Sequence, residues 1–236
     1  MNRRWIVGHR GGGGLAAGNT LPGIRQAIEF GADAVEFDVQ PLADGSLVVF
    51  HDDAVGDHAL SQLTLGELHE LAIVTPVEIP TLGQVLGLCS GRIHLDIELK
   101  KSGCGDGIAK ALFSFRWSVD EYVVTSFSRE ALVEFAAIRP GARTGLLLEL
   151  SDLDSAIAKM EAAHASFLAP EESTLNLHLL QEAERLQISL LPWTVNSQHR
   201  MHELLSCAIV EGLITDDVPQ AIRARASVKL KGGPKR

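Results

Sequence analysis

The amino-acid sequence predicts an α/β protein folded as a single (β/α)8 barrel, with a small hairpin insertion after the second strand. Three observations carry that prediction. Short apolar or β-branched runs alternate with longer segments of helical period, and the runs number eight. No composition break or Pro/Gly/Ser-rich linker divides the 236 residues, so one closed barrel is favoured over two domains.

The strand-like runs are Trp5–His9, Ala34–Val39, Ile93–Leu99, Tyr122–Ser126, Thr144–Glu149, Ser166–Ala169, Ile188–Thr194 and Gly212–Thr215. Between them lie helical stretches. Leu21–Phe30 places Leu21, Ile24, Ala27 and Ile28 on one face, and Ser151–Ala163 and Thr174–Leu186 carry similar stripes. Thr20, Ser128 and Ser151 stand at N-cap positions, where a side-chain oxygen can accept from a free helical N–H. After the second run, Leu42-Ala43-Asp44-Gly45-Ser46 is a turn signal followed by the apolar run Leu47–His51, which predicts the hairpin arm. The barrel is expected to span residues 1–227. Residues 228–236, with Lys229, Lys231, Lys235 and Arg236, are expected to form a basic, solvated tail without function.

Hydrophobic residues make up 46% of the chain and charged residues 22%, which is enough apolar material for a full core. The net charge of −9 argues against partners that need a broad basic surface, nucleic acid and anionic membranes among them. A phosphate-bearing small substrate would need local cations or a metal. The start, Met1 to Val7, has two arginines but no apolar h-region, and no stretch reaches the roughly 18 uninterrupted apolar residues of a membrane span. A soluble, cytoplasmic protein without stable membrane association is expected. Cys89, Cys104 and Cys207 are odd in number and widely separated, which points to buried free thiols rather than disulfides or a thiolate zinc site.

The second strand ends Val35-Glu36-Phe37-Asp38-Val39, so Glu36 and Asp38 point the same way. The third ends Asp96-Ile97-Glu98-Leu99-Lys100, which puts Asp96, Glu98 and Lys100 on one side. Carboxylates gathered in a water-poor site repel one another and require a cation or fixed donors, and oxygen-only ligands suit magnesium or calcium, with manganese also compatible. A single such pair would more often be ordinary solvated carboxylates. His9 follows the first strand and His51 the arm; imidazoles can serve as acid in one step and base in another. Asp52 is placed to orient His51, and Arg10 to bind a phosphate oxygen. Lone histidines are more often structural, and His58, His69 and His94 are read so. The glycine run Gly11 to Gly14 is consistent with an anion-binding nest or with a plain loop.

His9-Arg10-Gly11, Asn19-Thr20, Gly31-Ala32-Asp33, Glu36-Phe37-Asp38-Val39, Asp44-Gly45 and Val48-Val49-Phe50-His51-Asp52 together resemble, in order and spacing, the N-terminal signature of the glycerophosphodiester phosphodiesterase family, bacterial cytosolic type. Asp96-Ile97-Glu98-Leu99-Lys100, Ser126-Phe127-Ser128, Trp193-Thr194-Val195-Asn196 and Ile214-Thr215-Asp216-Asp217 are similar to its later strand ends. The resemblance implies a TIM barrel that uses a divalent cation, Mg2+ or Ca2+, to hydrolyse small glycerophosphodiesters to sn-glycerol 3-phosphate and an alcohol. It implies Glu36, Asp38 and Glu98 as metal ligands, His9 and His51 as the acid–base pair, and Arg10 and Lys100 as phosphate-binding groups. Trp193 would pack against the glycerol moiety. Where the family usually has Pro-Glu-Asn-Thr this chain has Ala17-Gly18-Asn19-Thr20, so Gly18 removes a carboxylate near the site.

Two other readings compete. A lysophospholipase D-like or phosphoinositide-type phosphodiesterase would need an exposed apolar rim, and residues 54–90 supply Leu and Val but no basic amphipathic helix. A non-catalytic phosphodiester-binding barrel is suggested only by Gly18, since both histidines and all three ligand carboxylates are present.

Overall fold

The computed structural model describes residues 4–12, 17–74, 78–149 and 152–228. Ten strands alternate with nine α-helices among them. The strands are β1 (Trp5–Gly8), β2 (Ala34–Pro41), β3 (Leu47–Val49), β4 (Ala54–Val55), β5 (His58–Ala59), β6 (His94–Leu99), β7 (Tyr122–Ser126), β8 (Arg143–Leu148), β9 (Phe167–Pro170) and β10 (Gly212–Thr215). The helices are α1 (Leu21–Phe30), α2 (Leu65–Val74), α3 (Leu82–Cys89), α4 (Gly105–Ser114), α5 (Arg129–Ile138), α6 (Leu153–Ala162), α7 (Leu177–Leu186), α8 (Gln198–Ser206) and α9 (Val218–Ser227).

Seven strands form one curled parallel sheet in the order β10-β1-β2-β6-β7-β8-β9. The run expected as a strand at Ile188–Thr194 is not one: it makes only isolated bridges, Leu168 to Leu190, Leu190 to Val210 and Glu171 to Trp193. It nevertheless fills the gap between β9 and β10. Leu191 and Trp193 donate their N–H groups to Leu168 and Pro170 on one side, and Glu211 and Ile214 donate to Leu190 and Pro192 on the other. Pro192 has no N–H to give to a ladder, which accounts for the broken pairing. The barrel is thereby closed with an irregular eighth stave.

The apolar layer between the sheet and the helices explains why the helices sit where they do. Ile24 and Ala27 of α1, Leu132 and Phe135 of α5 and Leu204 and Leu205 of α8 belong to one buried layer with outward-facing Val35, Phe37, Leu95 and Ile97. A smaller cluster of Val7, Ala34, Leu147, Phe167, Ala169, Leu191 and Ile214 fills the barrel interior. Gly145 makes room for it, because a Cβ there would lie 2.3 Å from the Phe167 ring.

Thr20 and Ser128 cap α1 and α5 as expected, accepting from Gly23 and Ala131. The expected cap at Ser151 lies outside the described residues, and Asp152 caps α6 instead. The stripe from Thr174 begins its α-helix only at Leu177, because Asn176 takes the cap and Glu172–Thr174 is a 3-10 turn. The hairpin arm is present: β3 pairs antiparallel with the end of β2, Val39 opposite Val49 and Pro41 opposite Leu47. The arm continues through β4, β5 and α2 around its own core of Leu42, Val48, Val55, Leu60 and Leu68.

Cys89 and Cys104 are buried free thiols, whereas Cys207 is only half-buried, on the last turn of the outer layer. No helix among the described residues is long and apolar enough to cross a membrane. Of the tail expected over residues 228–236, Val228 instead ends α9 and packs half-buried against the core, and residues 229–236 lie outside the described residues.

Candidate active site

β2 and β6 lie side by side in parallel register, Glu36 opposite Asp96 and Asp38 opposite Glu98. That register converts two local alternations into one cluster. Carboxylate oxygens of Glu36, Asp38 and Glu98 all lie within 4.8 Å of one another, and all three residues are buried. At an effective dielectric of about 20, two unit charges at that separation repel by roughly 3 kcal/mol. Lys100 Nζ stands 2.8 Å from Asp38 Oδ1 and 2.7 Å from Glu98 Oε1, a positive charge that bridges two of the three carboxyls and leaves Glu36 without it.

The titration behaviour follows from this imbalance. Burial, then the charges of Asp38, Glu98 and Asp96, raise the Glu36 carboxyl well above its ordinary range. Burial and Asp38 push Glu98 up to about 7, against the pull of Lys100. Asp38 alone goes down: burial opposes ionisation, but the Lys100 charge and the hydrogen bond from Asn19 outweigh it. Lys100 loses to burial and gains more from Asp38 and Glu98, so its ammonium is held more firmly than usual. Asp38 Oδ1 and Glu98 Oε1 are buried and share the single Lys100 ammonium between them. Oxygen-only donors, close together and incompletely satisfied, fit a hard divalent cation.

The neighbouring turn is tightly held. Arg10 has a left-handed backbone, φ 51°, a conformation that costs a non-glycine residue about 1–2 kcal/mol. Its N–H donates to Glu36 Oε2 (2.8 Å) and its carbonyl accepts from Asn19 N (2.8 Å). Asn19 in turn gives its side-chain amide to Asp38 Oδ2 (2.6 Å), and Arg10 Nε lies 3.3 Å from the same oxygen. A Cβ on Gly18 would come 3.0 Å from Arg10 Cβ, so this glycine lets the arginine stem lie against the loop. Gly11 and Gly12 serve packing: a Cβ on Gly11 would be 2.7 Å from the Gly23 backbone, and one on Gly12 2.8 Å from Val218. Gly13 and Gly14, the rest of the glycine run, lie outside the described residues.

Both candidate imidazoles line the same cavity, of about 170 Å³, with Arg10, Glu36, Glu98, Lys100 and Trp193. His51 Nδ1 pairs with Asp52 Oδ1 at 2.7 Å, as the sequence suggested. His9 Nδ1 pairs with Asp216 Oδ1 at 2.8 Å, a partner 207 residues away that sequence reasoning did not assign. Asp216 Oδ2 accepts from Asn196 (2.7 Å), and Asn196 Oδ1 accepts from the Asp216 N–H and the Thr215 hydroxyl. The hydrogen bond from His9 lowers the Asp216 pKa; burial opposes it and Asn196 adds to it. In each pair the Nδ1 contact leaves Nε2 as the ring nitrogen available to the cavity.

Trp193 lines the cavity and donates its indole N–H to Ala169 O at 2.7 Å. Phe127, also missed as a site residue, meets the Trp193 ring edge-on with centroids 5.6 Å apart and is 54% exposed at the cavity mouth. One expected member does not join. Asp96 shares the inward side with Glu98 and is level with Glu36, but it accepts from Thr125 Oγ1 at 2.8 Å and lines a separate cavity at the opposite end of the barrel. Of the histidines read as structural, His94 packs edge-on against Trp5 with ring centroids 4.7 Å apart.

Comparison with known proteins supplies the family. Residues 9–220 match the model of the glycerophosphoryl diester phosphodiesterase family. A glycerophosphodiester phosphodiesterase of Caldanaerobacter subterraneus is 28% identical over 232 residues, covering 90% of this chain and 93% of its own. One from Bacillus subtilis is 26% identical over 248 residues, covering 91% and 84%. In fold, the chain superimposes on an Oleispira antarctica phosphodiesterase solved in complex with the product sn-glycerol-3-phosphate, with a TM-score of 0.82, 24% identity and 94% and 96% of the two chains covered. The family match covers the barrel from His9 through Asp216, and the chain belongs to the glycerophosphoryl diester phosphodiesterase family, whose members are phosphoric diester hydrolases.

Proposed function

We propose that this protein hydrolyses glycerophosphodiesters to sn-glycerol 3-phosphate and an alcohol, with a divalent cation held by Glu36, Asp38 and Glu98 and with His9 and His51 as the acid–base pair. The observation that carries the reading is the pair of imidazoles, each tied to a carboxylate through Nδ1, at one cavity with the buried carboxylate trio. Family membership and the sn-glycerol-3-phosphate bound to the Oleispira relative support the substrate class.

A bound magnesium, calcium or manganese ion would supply Lewis-acid polarisation of the phosphoryl group. The chain's own groups do the rest. Asp216 and Asp52 hold the proton on Nδ1, so that Nε2 of one ring can take a proton from the attacking hydroxyl while Nε2 of the other gives one to the departing alkoxide. The attacking hydroxyl belongs to water or to the substrate's own glycerol 2-position. Arg10 and the firmly charged Lys100 hold the phosphate oxygens and offset the charge that grows on them. Trp193 offers an apolar wall to the glycerol carbons.

The decisive assay is release of glycerol 3-phosphate from glycerophosphocholine, glycerophosphoethanolamine and glycerophosphoglycerol by purified protein, with EDTA or with each of the three cations. Cation-dependent release is expected. Choline release only from lysophosphatidylcholine, with lysophosphatidic acid as the other product, would point to a lipid substrate met through the exposed Phe127 rim. Silence on every substrate from folded protein would leave a binding role. Asp216→Asn is expected to lower kcat roughly 10- to 100-fold with little change in KM, as for other carboxylate partners of functional imidazoles; steady-state kinetics on the preferred diester check it.

A further inference from the structure

We infer that Gln40 is a positioning residue that sets the place of His51, an inference that rests on the acid–base role proposed for that histidine. Gln40 follows Glu36 and Asp38 on the same face of β2 and has no exposed surface. Its side-chain Nε2 lies 3.2 Å from the carbonyl oxygen of Phe50, 3.0 Å from that of His51 and 2.7 Å from that of Asp52. An amide nitrogen has two hydrogens, so three acceptors share them. Three successive carbonyls converging on one point repel one another unless a donor stands there. Gln40 supplies it, and so turns the three peptide planes inward.

A simple cross-link between barrel and arm would not need this residue. Backbone pairing of Val39 with Val49, and the bond from Phe50 N to Asp38 O (3.0 Å), already join them. Gln40 acts where that ladder stops, on His51 and the residues flanking it. The same turn presents Asp52 to the imidazole at 2.7 Å, so the ring's anchor and its partner both depend on one amide. The other end of Gln40 makes the point from the opposite side. Its Oε1 is buried with no hydrogen-bond partner among the described residues, a burial cost of about 1–3 kcal/mol set against the three contacts of the donor end. The remaining tie across this loop, Lys101 to Asp53 at 3.1 Å, is solvent-exposed and weak.

Two substitutions test the inference in the full chain. Gln40→Met keeps the length and removes the donor; kcat is expected to fall on the order of 100-fold, the scale of an ångström-sized misplacement, with KM little changed. Gln40→Glu is expected to lose as much at alkaline pH, where its carboxylate adds a fourth acceptor. It should recover relative to wild type as pH falls, because the protonated acid donates again. The ratio of Gln40→Met to wild type should stay flat with pH, and the His51 imidazole resonances should move in both variants. If Gln40→Met does not fold, Gln40→Glu carries the comparison within one protein. A folded Gln40→Met with wild-type kcat, or His51 imidazole resonances unmoved in both variants, would overturn the positioning role. Full activity in His51→Ala would instead remove the acid–base reading, leaving the two failures distinct.

Discussion

Replacing either His9 or His51 with alanine is expected to lower kcat on the order of 10²- to 10⁴-fold without loss of the fold, the range associated with a positioned proton-transfer group. Both side chains stand at a cavity rather than in the core, and each is fixed by one principal side-chain contact, to Asp216 and Asp52. Thermal melting of each variant should therefore stay near wild type. Turnover is the discriminating measurement: full activity in either variant would sink the assignment, whereas a large change in melting temperature would make that histidine structural. The pH profile adds a check. A base and an acid working together give a bell-shaped dependence of kcat/KM, and each alanine variant should lose one limb.

The second large effect is on cation binding and its pH dependence. In cation-free protein Asp96 and Glu98 titrate at about 7, mainly because of burial, against ordinary values of 3.8 and 4.5. Between about pH 4 and 7 the folded state thus holds protons that the unfolded chain has released, so stability falls as pH rises through that window. The contribution of these two groups is greatest below about 4 and its loss is complete above about 7. A divalent cation held by the ionised trio, as proposed, is expected to reverse the slope by displacing the proton of Glu98. At a free concentration about 100-fold above Kd it should add about 2.7 kcal/mol, or roughly 5 to 10 °C in Tm for a chain of this size. The gain should be large near pH 8 and small near pH 5. It should be lost in Glu36→Gln, the trio member whose carboxyl Lys100 does not contact. Melting curves with and without magnesium, calcium or manganese at both pH values measure it, and an equal gain at the two would count against the carboxylate trio as the binding site.

Much of this site was legible in the sequence because it rests on local periodicity. Glu36 and Asp38 share a face because strand side chains alternate, and the same rule puts Glu98 and Lys100 together. The eight-fold alternation of runs and helical stripes set the barrel, and the turn at Asp44-Gly45 set the arm. Asp52 could be matched to His51 because they are neighbours in the chain.

Tertiary structure decided everything that depends on which strand lies beside which, and at what height. The register of β2 against β6 brings Glu98 level with Asp38 and Asp96 level with Glu36, yet Asp96 is taken up by Thr125 and stays outside the trio, although both acids of β6 obey the same alternation. Barrel closure brings Asp216 to His9 across 207 residues, a proximity to which no spacing rule applies. The segment 188–194 reads as a strand by composition, yet Pro192 denies it a ladder and it closes the barrel by single bonds. Gln40 looks like any polar residue at a strand end until the arm folds back and places three carbonyls around its amide. The physical reason is common to all four. Chain geometry fixes side-chain direction within an element, whereas contacts between elements depend on packing register and chain closure, which come from the whole core acting together.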